Sequence, residues 1–225
     1  MTARVAVYYA PEADDPLTVA AARWLGRDVE TGAAVVQPPI GGIAEVTADP
    51  RLYGFHATLK PPMRLLPDVS WAAFEAAARV LAGGIAPFDL PPLAVADVHG
   101  FLALRETAPS LALQALADLC VAGLDAFRAP PAPDELARRR RAGLSAAQEA
   151  MLLRWGYPYV FGTWFFHLTL TRRLDPSERA GWRAAAEQHL APALAVPRRV
   201  GAICLFTQAA PAAPFCLAAR LRLRG

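Results

Sequence analysis

The chain has 225 residues, of which 55% are hydrophobic and 19% charged, a balance typical of a globular protein and not of a disordered one. The formal net charge of +3 permits an anionic small-molecule substrate but does not require nucleic acid. No apolar run reaches the roughly 20 residues of a membrane helix, and the start lacks a signal peptide's apolar region, so we expect a cytoplasmic protein with no membrane partner. Three cysteines without metal-like spacing fit a reducing compartment.

The hydrophobic pattern predicts strands and helices along the whole chain. In the first half we expect a strand at 4–10, a helix at 17–25, a long loop at 28–50, a strand at 52–59, a helix at 71–81, and a hairpin of 88–98 with 101–105. In the second half we expect helices at 110–127 and 134–154, a strand at 163–172, a helix at 178–190, and a hairpin of 199–208 with 215–224. A loop as long as 28–50 is often functional.

Two short segments, 55–59 and 166–170, share the pattern apolar–His–apolar–Thr–apolar. A tryptophan follows each motif histidine after the same fifteen residues, and each lies in the first turn of an expected helix. The order strand–helix–strand–strand therefore occurs twice, at about 54–106 and 164–224, with the helical segment 110–154 between the two units. That segment either connects two lobes or lies across a cleft.

In a β-strand successive side chains point to opposite faces, so each motif places its histidine and threonine together on one face. These residues are His56 and Thr58 in the first motif, and His167 and Thr169 in the second. Breaking a phosphodiester needs one proton removed from the attacking oxygen and one given to the leaving oxygen, and histidine can do either near neutral pH. The threonine hydroxyls could hold the phosphate oxygens. We therefore predict catalysis by His56 and His167, and phosphate binding by Thr58 and Thr169.

Four further residues are candidate substrate contacts, of which Lys60 could instead be a solvated strand end. Lys60 and Thr171 continue the motif faces, and Arg173 keeps the same parity as His167, although a strand end can twist. Tyr159 either lines the site or packs, and packing is slightly favoured. No further Asp, Glu or His falls on either motif face, so we expect neither a metal nor a cofactor. The basic run 138–141 follows acidic residues in a helix, which favours a solvated face over an RNA contact.

The two motifs resemble those of the two-histidine (2H) phosphoesterase superfamily, which are written H-x-[ST]-apolar. The stretches 53–62, 24–28 and 156–160 further resemble the uncharacterised phosphonate-metabolism proteins encoded with carbon–phosphorus lyase operons. The residues at 161–165 depart from that branch's more polar pattern, which leaves any substrate contact from them open. The resemblance implies an α+β fold of two pseudo-symmetric lobes, each an antiparallel sheet with helices outside, around a central cleft in one domain spanning 1–225.

The resemblance also implies a metal-independent cyclic phosphodiesterase, and its operon context suggests a ribose cyclic phosphate as substrate. The first alternative is an RNA-end enzyme acting on 2′,3′-cyclic or 2′,5′ linkages, against which the modest charge argues. The second alternative is a phosphate- or nucleotide-binding protein without turnover. The sequence leaves open which histidine is the acid, and also the oligomeric state.

Overall fold

The structure is a computed structural model that describes residues 4–141 and 143–225. The described residues form the strands β1 (Arg4–Tyr9), β2 (Ala57–Arg64), β3 (Phe88–Leu90), β4 (Leu93–Val98), β5 (Phe101–Glu106), β6 (Leu168–Arg173), β7 (Arg198–Val200), β8 (Ala202–Gln208) and β9 (Cys216–Arg222). The α-helices are α1 (Pro16–Leu25), α2 (Ile43–Val46), α3 (Ala48–Tyr53), α4 (Trp71–Gly83), α5 (Leu111–Gly123), α6 (Pro133–Arg140), α7 (Ala146–Trp155) and α8 (Arg179–Leu194).

The strands pair in antiparallel sheets, which confirms the predicted α+β fold. The first sheet has the order β2-β1-β8-β9, and the second has the order β4-β5-β6. A two-stranded ribbon, β3 with β7, accompanies them. The motif strands β2 and β6 each stand at an edge of their own sheet, so the two His-x-Thr motifs belong to different sheets.

The element order β-α-β-β-β occurs twice, as β2-α4-β3-β4-β5 and as β6-α8-β7-β8-β9. The strands of each unit are nevertheless divided between the sheets. The motif strand β2 joins the sheet that contains the hairpin β8–β9 of the second unit, whereas β6 pairs with β5 of the first unit. The two sheets therefore each contain strands from both units.

Helices pack against these sheets and close a large hydrophobic cluster that includes residues of both. Capping residues in the sequence explain where two of these helices begin. The Asp15 side chain accepts a hydrogen bond from the Leu17 amide ahead of α1, and Ser70 Oγ accepts one from the Ala73 amide at the start of α4. Such caps satisfy backbone donors that a helix cannot pair internally, so they fix where each helix begins.

Several predicted boundaries differ from the structure. The expected loop at 28–50 contains α2 and the start of α3, because the apolar residues Ile43 and Val46 are buried there. The first motif strand runs on through Pro61 and Pro62 to Arg64. Proline is tolerated in β2 because that strand lies at a sheet edge, where one side of the backbone needs no partner strand.

Three other expected elements are divided. The helix predicted at 134–154 is two helices, α6 and α7, separated near Gly143, whose φ is +71°. The strand predicted at 88–98 breaks at its adjacent prolines into β3 and β4, which belong to different sheets. The strand predicted at 199–208 likewise separates into β7 and β8. None of the helices in the described part of the chain is long and apolar enough to cross a membrane.

Candidate active site

The two motifs meet in one cleft, although they lie on separate sheets. The cleft has a volume of about 440 Å³. Its lining includes all four predicted motif residues: His56, Thr58, His167 and Thr169. Residues more than a hundred positions apart in the chain thus share one solvent-accessible space.

The imidazole of His56 is held by the backbone. Its Nδ1 lies 2.9 Å from the carbonyl oxygen of Gly54. Because a carbonyl can only accept, Nδ1 carries the hydrogen and the neutral ring keeps its lone pair on Nε2. The hydroxyl of Thr58 lies 3.4 Å from that Nε2. The basic nitrogen and the threonine hydroxyl are therefore neighbours, as the spacing of the motif predicts.

The imidazole of His167 is held in the same way. Its Nδ1 donates to the carbonyl oxygen of Phe165 at 3.2 Å, so Nε2 is again the basic nitrogen of the neutral ring. In both motifs the accepting carbonyl belongs to the residue two positions before the histidine. The two units therefore repeat a contact as well as a sequence pattern.

Gly54 has the backbone conformation that turns its carbonyl toward His56. Its φ is +78°, in the region that favours glycine, and a Cβ built on it would lie 2.9 Å from Cγ2 of Val29. Beyond it, Phe55, Ala57 and Leu59 are all buried and hold the strand to the core. The glycine before the motif therefore has a conformational and a steric reason to be there.

Aromatic rings pack against both imidazoles. The ring of Tyr8 stacks on His56 with the centroids 3.8 Å apart and the planes inclined by 26°, and Tyr53 lies at 6.1 Å. The ring of Phe165 lies 4.8 Å from that of His167 at 30°. Tyr8 and Tyr53 also line the cleft, and sequence reasoning missed both. Tyr8 falls opposite Thr58 in the β1–β2 pairing, a placement that the sequence of neither strand signals by itself.

Burial makes both imidazoles weak bases. It lowers the pKa of His56 from 6.5 to about 4, against the hydrogen bond to Gly54, which favours the charged form, and the charge of His167 lowers it further. Burial also lowers the pKa of His167, and Arg105 adds to that effect by charge repulsion. Both rings are therefore neutral near pH 7 unless an anion lies beside them.

Lys60 does not lie in the cleft, so the predicted substrate contact is wrong. Its side chain is 2% exposed, and its ammonium donates to the carbonyl of Val121 at 2.9 Å and to Asp125 at 3.2 Å. The cause is an irregularity in the β1–β2 pairing between Thr58 and Lys60, which breaks the period-two alternation. Burial lowers the pKa of Lys60 to about 8, although Asp125 favours its charged form.

Thr171 and Arg173 both border the cleft. The Thr171 hydroxyl accepts a hydrogen bond from the backbone amide of Leu102 at 2.9 Å, and the residue is 1% exposed, which favours a structural role over the predicted substrate contact. Arg173 is exposed and donates to the carbonyl of His99. Of these two predicted contacts, only Arg173 has a side chain accessible to a ligand.

Tyr159 lies outside the cleft lining, and its neighbour Tyr157 takes the position expected for it. The two rings meet edge to face with centroids 5.6 Å apart. Tyr159 thus packs against the residue that lines the cleft, in line with the packing alternative. The aromatic turn was the correct signal, but sequence alone could not choose between its tyrosines.

The basic run 138–141 is more than a solvated face. Arg138 and Arg139 of α6 line the cleft, so the helical segment between the two units forms part of its wall. Arg139 lies 4.5 Å from the centroid of the Tyr157 ring and 3.0 Å from Glu135. The sequence pattern favoured a solvated face because it shows which side of the helix is charged, but not whether that side faces solvent or a cleft.

Within 4–141 and 143–225, no three His, Cys, Asp or Glu side chains lie close enough together to hold a metal ion. The expectation of a metal-independent site without a cofactor stays a prediction, which a chelator can test.

A family model described as "Protein of unknown function (DUF1045)" matches residues 58–216. A relative from Janthinobacterium sp. (strain Marseille), named ribose 1,5-bisphosphate phosphokinase PhnN, is 41% identical over an alignment of 221 residues that covers 94% of this chain and 49% of the relative. A protein of the same name from Laribacter hongkongensis (strain HLHK9) is 38% identical over 95% of this chain and 50% of its own length. The chain spans about half the length of the curated relatives it matches.

Solved structures with a similar outline include Escherichia coli LigT complexed with 3′-AMP, at a TM-score of 0.46 and 16% identity over the full length of both chains. The protein TT0787 of Thermus thermophilus has a TM-score of 0.47 at 17% identity, covering 99% of this chain and 98% of that one. A structure described only as a phosphoesterase is also similar, at a TM-score of 0.43 and 16% identity over 99% of both chains. At these TM-scores the likeness carries no argument about the activity of this chain.

Proposed function

The chain belongs to the DUF1045 family of proteins of unknown function, and we propose that it is a phosphodiesterase that opens the cyclic phosphate of a small sugar or nucleotide. One observation carries the proposal. Two imidazoles in one cleft are each held through Nδ1 by a backbone carbonyl, which leaves Nε2 as the basic nitrogen of each ring. Paired bases of this kind suit proton transfer on either side of a phosphorus atom.

In the proposed reaction a water oxygen attacks the phosphorus while the bond from phosphorus to one ring oxygen breaks. One Nε2 takes the proton of the water, and the other imidazole, in its protonated form, gives its proton to the leaving oxygen. The product is a phosphomonoester with a free hydroxyl. The pair finishes with its protons exchanged, and solvent restores them for the next turnover.

The negative charge of the substrate favours protonation of the imidazole that acts as the acid. Both imidazoles are neutral in the cleft because burial lowers each pKa. A bound phosphate anion close to either ring favours the imidazolium and raises its pKa. The hydroxyls of Thr58 and Thr169 are assigned to the non-bridging phosphate oxygens, where the transition state gathers negative charge.

A ribosyl 1,2-cyclic phosphate is the substrate we favour. The operon context implied by the sequence resemblance suggests it. The two curated relatives are named for ribose 1,5-bisphosphate, a ribose with phosphate on C1. Opening the cyclic phosphate at the C2 oxygen would also leave a phosphate on C1, so the proposed product fits that name.

The test is hydrolysis of ribosyl 1,2-cyclic phosphate by the purified protein, with and without EDTA. We expect turnover that EDTA does not abolish. His56→Ala and His167→Ala should each lower kcat by roughly 10²- to 10⁴-fold with the fold retained, because each removes a proton-transfer group. His99→Asn is the matched control, since His99 is exposed in a turn with a φ of +52° that asparagine tolerates. A protein that binds the substrate but gives no product would contradict the proposal.

An RNA-end phosphoesterase is the second candidate, and the arginines of α6 beside the cleft favour it. An RNA substrate contacts several cations at once, so its binding should weaken steeply with salt. A sugar phosphate should show a shallow slope. Binding of a short RNA ending in a 2′,3′-cyclic phosphate, measured between about 50 and 200 mM salt, therefore separates the two candidates in the range in which such slopes are clear.

A further inference from the structure

A second hollow adjoins the cleft that holds the paired histidines. It has a volume of about 610 Å³. Arg4, Tyr53 and Arg138 line both spaces, so the two are continuous along these side chains. A ligand whose cyclic phosphate lies between the imidazoles could therefore extend into the second hollow.

The second hollow is rich in guanidinium groups. Four arginines line it, against two carboxylates, those of Asp134 and Glu135. The arginines are Arg4, Arg64, Arg138 and Arg141.

These four side chains form no ion pair with a carboxylate among the residues that the structure describes. Arg4 instead donates to the side-chain oxygen of Gln208 at 2.8 Å, and Arg64 donates to the carbonyl of Pro130 at 3.0 Å. Unneutralised arginines that gather in a concave space are the usual way in which proteins bind phosphate groups.

A neighbouring arginine, Arg139, has a side-chain N–H group without a hydrogen-bond acceptor in the described part of the chain. Arg139, on the cleft side of α6, pairs with Glu135 and lies against Tyr157, yet its Nε is buried with no hydrogen-bond partner in the described part of the chain. A buried donor without a partner is uncommon in a folded protein, since it costs free energy unless something accepts its hydrogen.

We propose that the hollow lined by Arg4, Arg64, Arg138 and Arg141 binds a second phosphate of the substrate, a terminal phosphomonoester on the same sugar that carries the cyclic phosphate. The inference rests on the proposed cyclic phosphodiesterase activity and names its substrate class. It requires no new covalent step, because the terminal phosphate is bound and not transferred.

A small bisphosphorylated sugar fits this surface better than an RNA strand. Asp134 lines the same hollow as the arginines, forms no ion pair among the described residues, and would repel a polyanion that continued along α6. A single terminal phosphate can instead be held by the guanidinium groups alone. A monoester also carries close to two negative charges at pH 7, which strengthens each contact with an arginine.

The test compares ribosyl 1,2-cyclic phosphate with and without a phosphate on C5. We expect the wild-type protein to have a kcat/KM at least about tenfold higher for the phosphorylated compound, because one charge-assisted contact is worth about that factor. The double variant Arg138→Gln/Arg141→Gln should lose this preference mainly through KM, with a larger fall in kcat/KM for the phosphorylated than for the unphosphorylated compound. Arg23→Gln is the matched control, since Arg23 is exposed on α1 and lines neither space.

A binding measurement separates failure of this inference from failure of the proposed activity. Ribose 5-phosphate should bind the wild-type protein and the His56→Ala/His167→Ala variant alike, and Arg138→Gln/Arg141→Gln about tenfold more weakly. Absence of turnover with this binding pattern intact would overturn the activity but support the subsite. Equal kcat/KM for the two cyclic compounds, or equal losses on both in the arginine variant, would overturn the subsite. An arginine-dependent preference for a short RNA over the bisphosphorylated sugar would overturn it as well.

Discussion

The indole Nε1 of Trp164 donates a hydrogen bond to the carbonyl oxygen of Thr58 at 2.8 Å. Trp164 lies three residues before His167, whereas Thr58 lies two residues after His56. The segment that leads into the second motif is thereby bonded to the strand of the first. One side chain fixes the separation of the two halves of the site without contacting the cleft itself, since Trp164 is absent from its lining.

Trp164→Phe should therefore impair activity more than stability. The variant keeps a large apolar ring but loses one hydrogen bond, which costs about 1 kcal/mol of the free energy of unfolding. We expect kcat/KM for the cyclic phosphate to fall by about tenfold or more, because small displacements of catalytic groups are costly. Urea unfolding and steady-state kinetics measure the two effects.

The control for this variant is Trp155→Phe. Trp155 is also half-buried, but its indole nitrogen donates no side-chain hydrogen bond among the described residues. That variant should retain its kinetics. Equal losses of activity in the two tryptophan variants would contradict a specific role for the bond to Thr58.

The buried imidazole of His56 should make the protein less stable in mild acid. Its pKa is lowered to about 4 in the folded chain, whereas the unfolded chain has the ordinary 6.5. Between pH 4 and pH 6.5 the unfolded state binds more protons than the folded state, so the free energy of unfolding falls as the pH is lowered. The contribution of neutral His56 to stability is complete above pH 6.5 and is lost as the pH falls toward 4. The loss could approach about 3 kcal/mol, and His56→Gln should remove it.

Urea unfolding at pH 5 and pH 7 gives the change in the free energy of unfolding with pH for the wild type and for His56→Gln. Subtracting one change from the other isolates the contribution of His56, because the other titrating groups cancel. Saturating phosphate should reduce the difference, because an anion beside the ring favours its charged form. Parallel pH dependences in the two proteins would show that His56 titrates normally.

Lys60→Met should lower stability and spare catalysis, contrary to the role that the sequence suggested. Removing the ammonium leaves the Val121 carbonyl without its donor and takes one partner from Asp125, which keeps Arg128 at 2.7 Å. We expect a loss of roughly 1–3 kcal/mol in the free energy of unfolding. Kinetics should change by less than about twofold, well below the tenfold that corresponds to about 1.4 kcal/mol. A large rise in KM with normal stability would restore Lys60 as a substrate contact.

Gly54→Ala should disturb the first histidine alone. An alanine at a φ of +78° is strained by about 1 kcal/mol or more, and its Cβ would lie 2.9 Å from Val29. The carbonyl that accepts from His56 Nδ1 would shift, so kcat should fall along with stability. Adding Val29→Ala should relieve the close contact but not the backbone strain, and hence restore part of the stability. Full recovery in the double variant would mean that φ is unimportant here.

The sequence was sufficient for the motif residues because period-two alternation and a duplicated spacing are local properties. It placed His56, Thr58, His167 and Thr169 on shared faces, and the structure brings all four to one cleft. The same alternation predicted the wrong face for Lys60, because one irregularity in the β1–β2 pairing reverses the side on which later side chains lie. Tyr8 was missed for a different reason: β1 meets β2 only in the assembled sheet, so its stacking on His56 has no signature in either segment.

The same limit explains the arginines of α6. Their charge is evident in the sequence, but whether a charged helix face meets water or a cleft depends on packing between distant elements. The sheet topology is of this kind as well. Two similar units suggest two lobes, and only the strand pairing, of β2 with β1, of β1 with β8 and of β5 with β6, reveals that the units contribute strands to each other's sheets.

This exchange of strands has a consequence for biosynthesis. The hairpin β8–β9, near the end of the chain, completes the sheet that carries His56. The strand that follows His167, β6, joins a sheet only by pairing with β5. A ribosome exposes the N-terminal half first, so β1 waits with one open edge until residues 202–208 emerge and pair with it. Cleaved halves of the polypeptide would consequently have to associate to rebuild the cleft, and a nascent chain halted before residue 202 would have an incomplete sheet and be prone to aggregate.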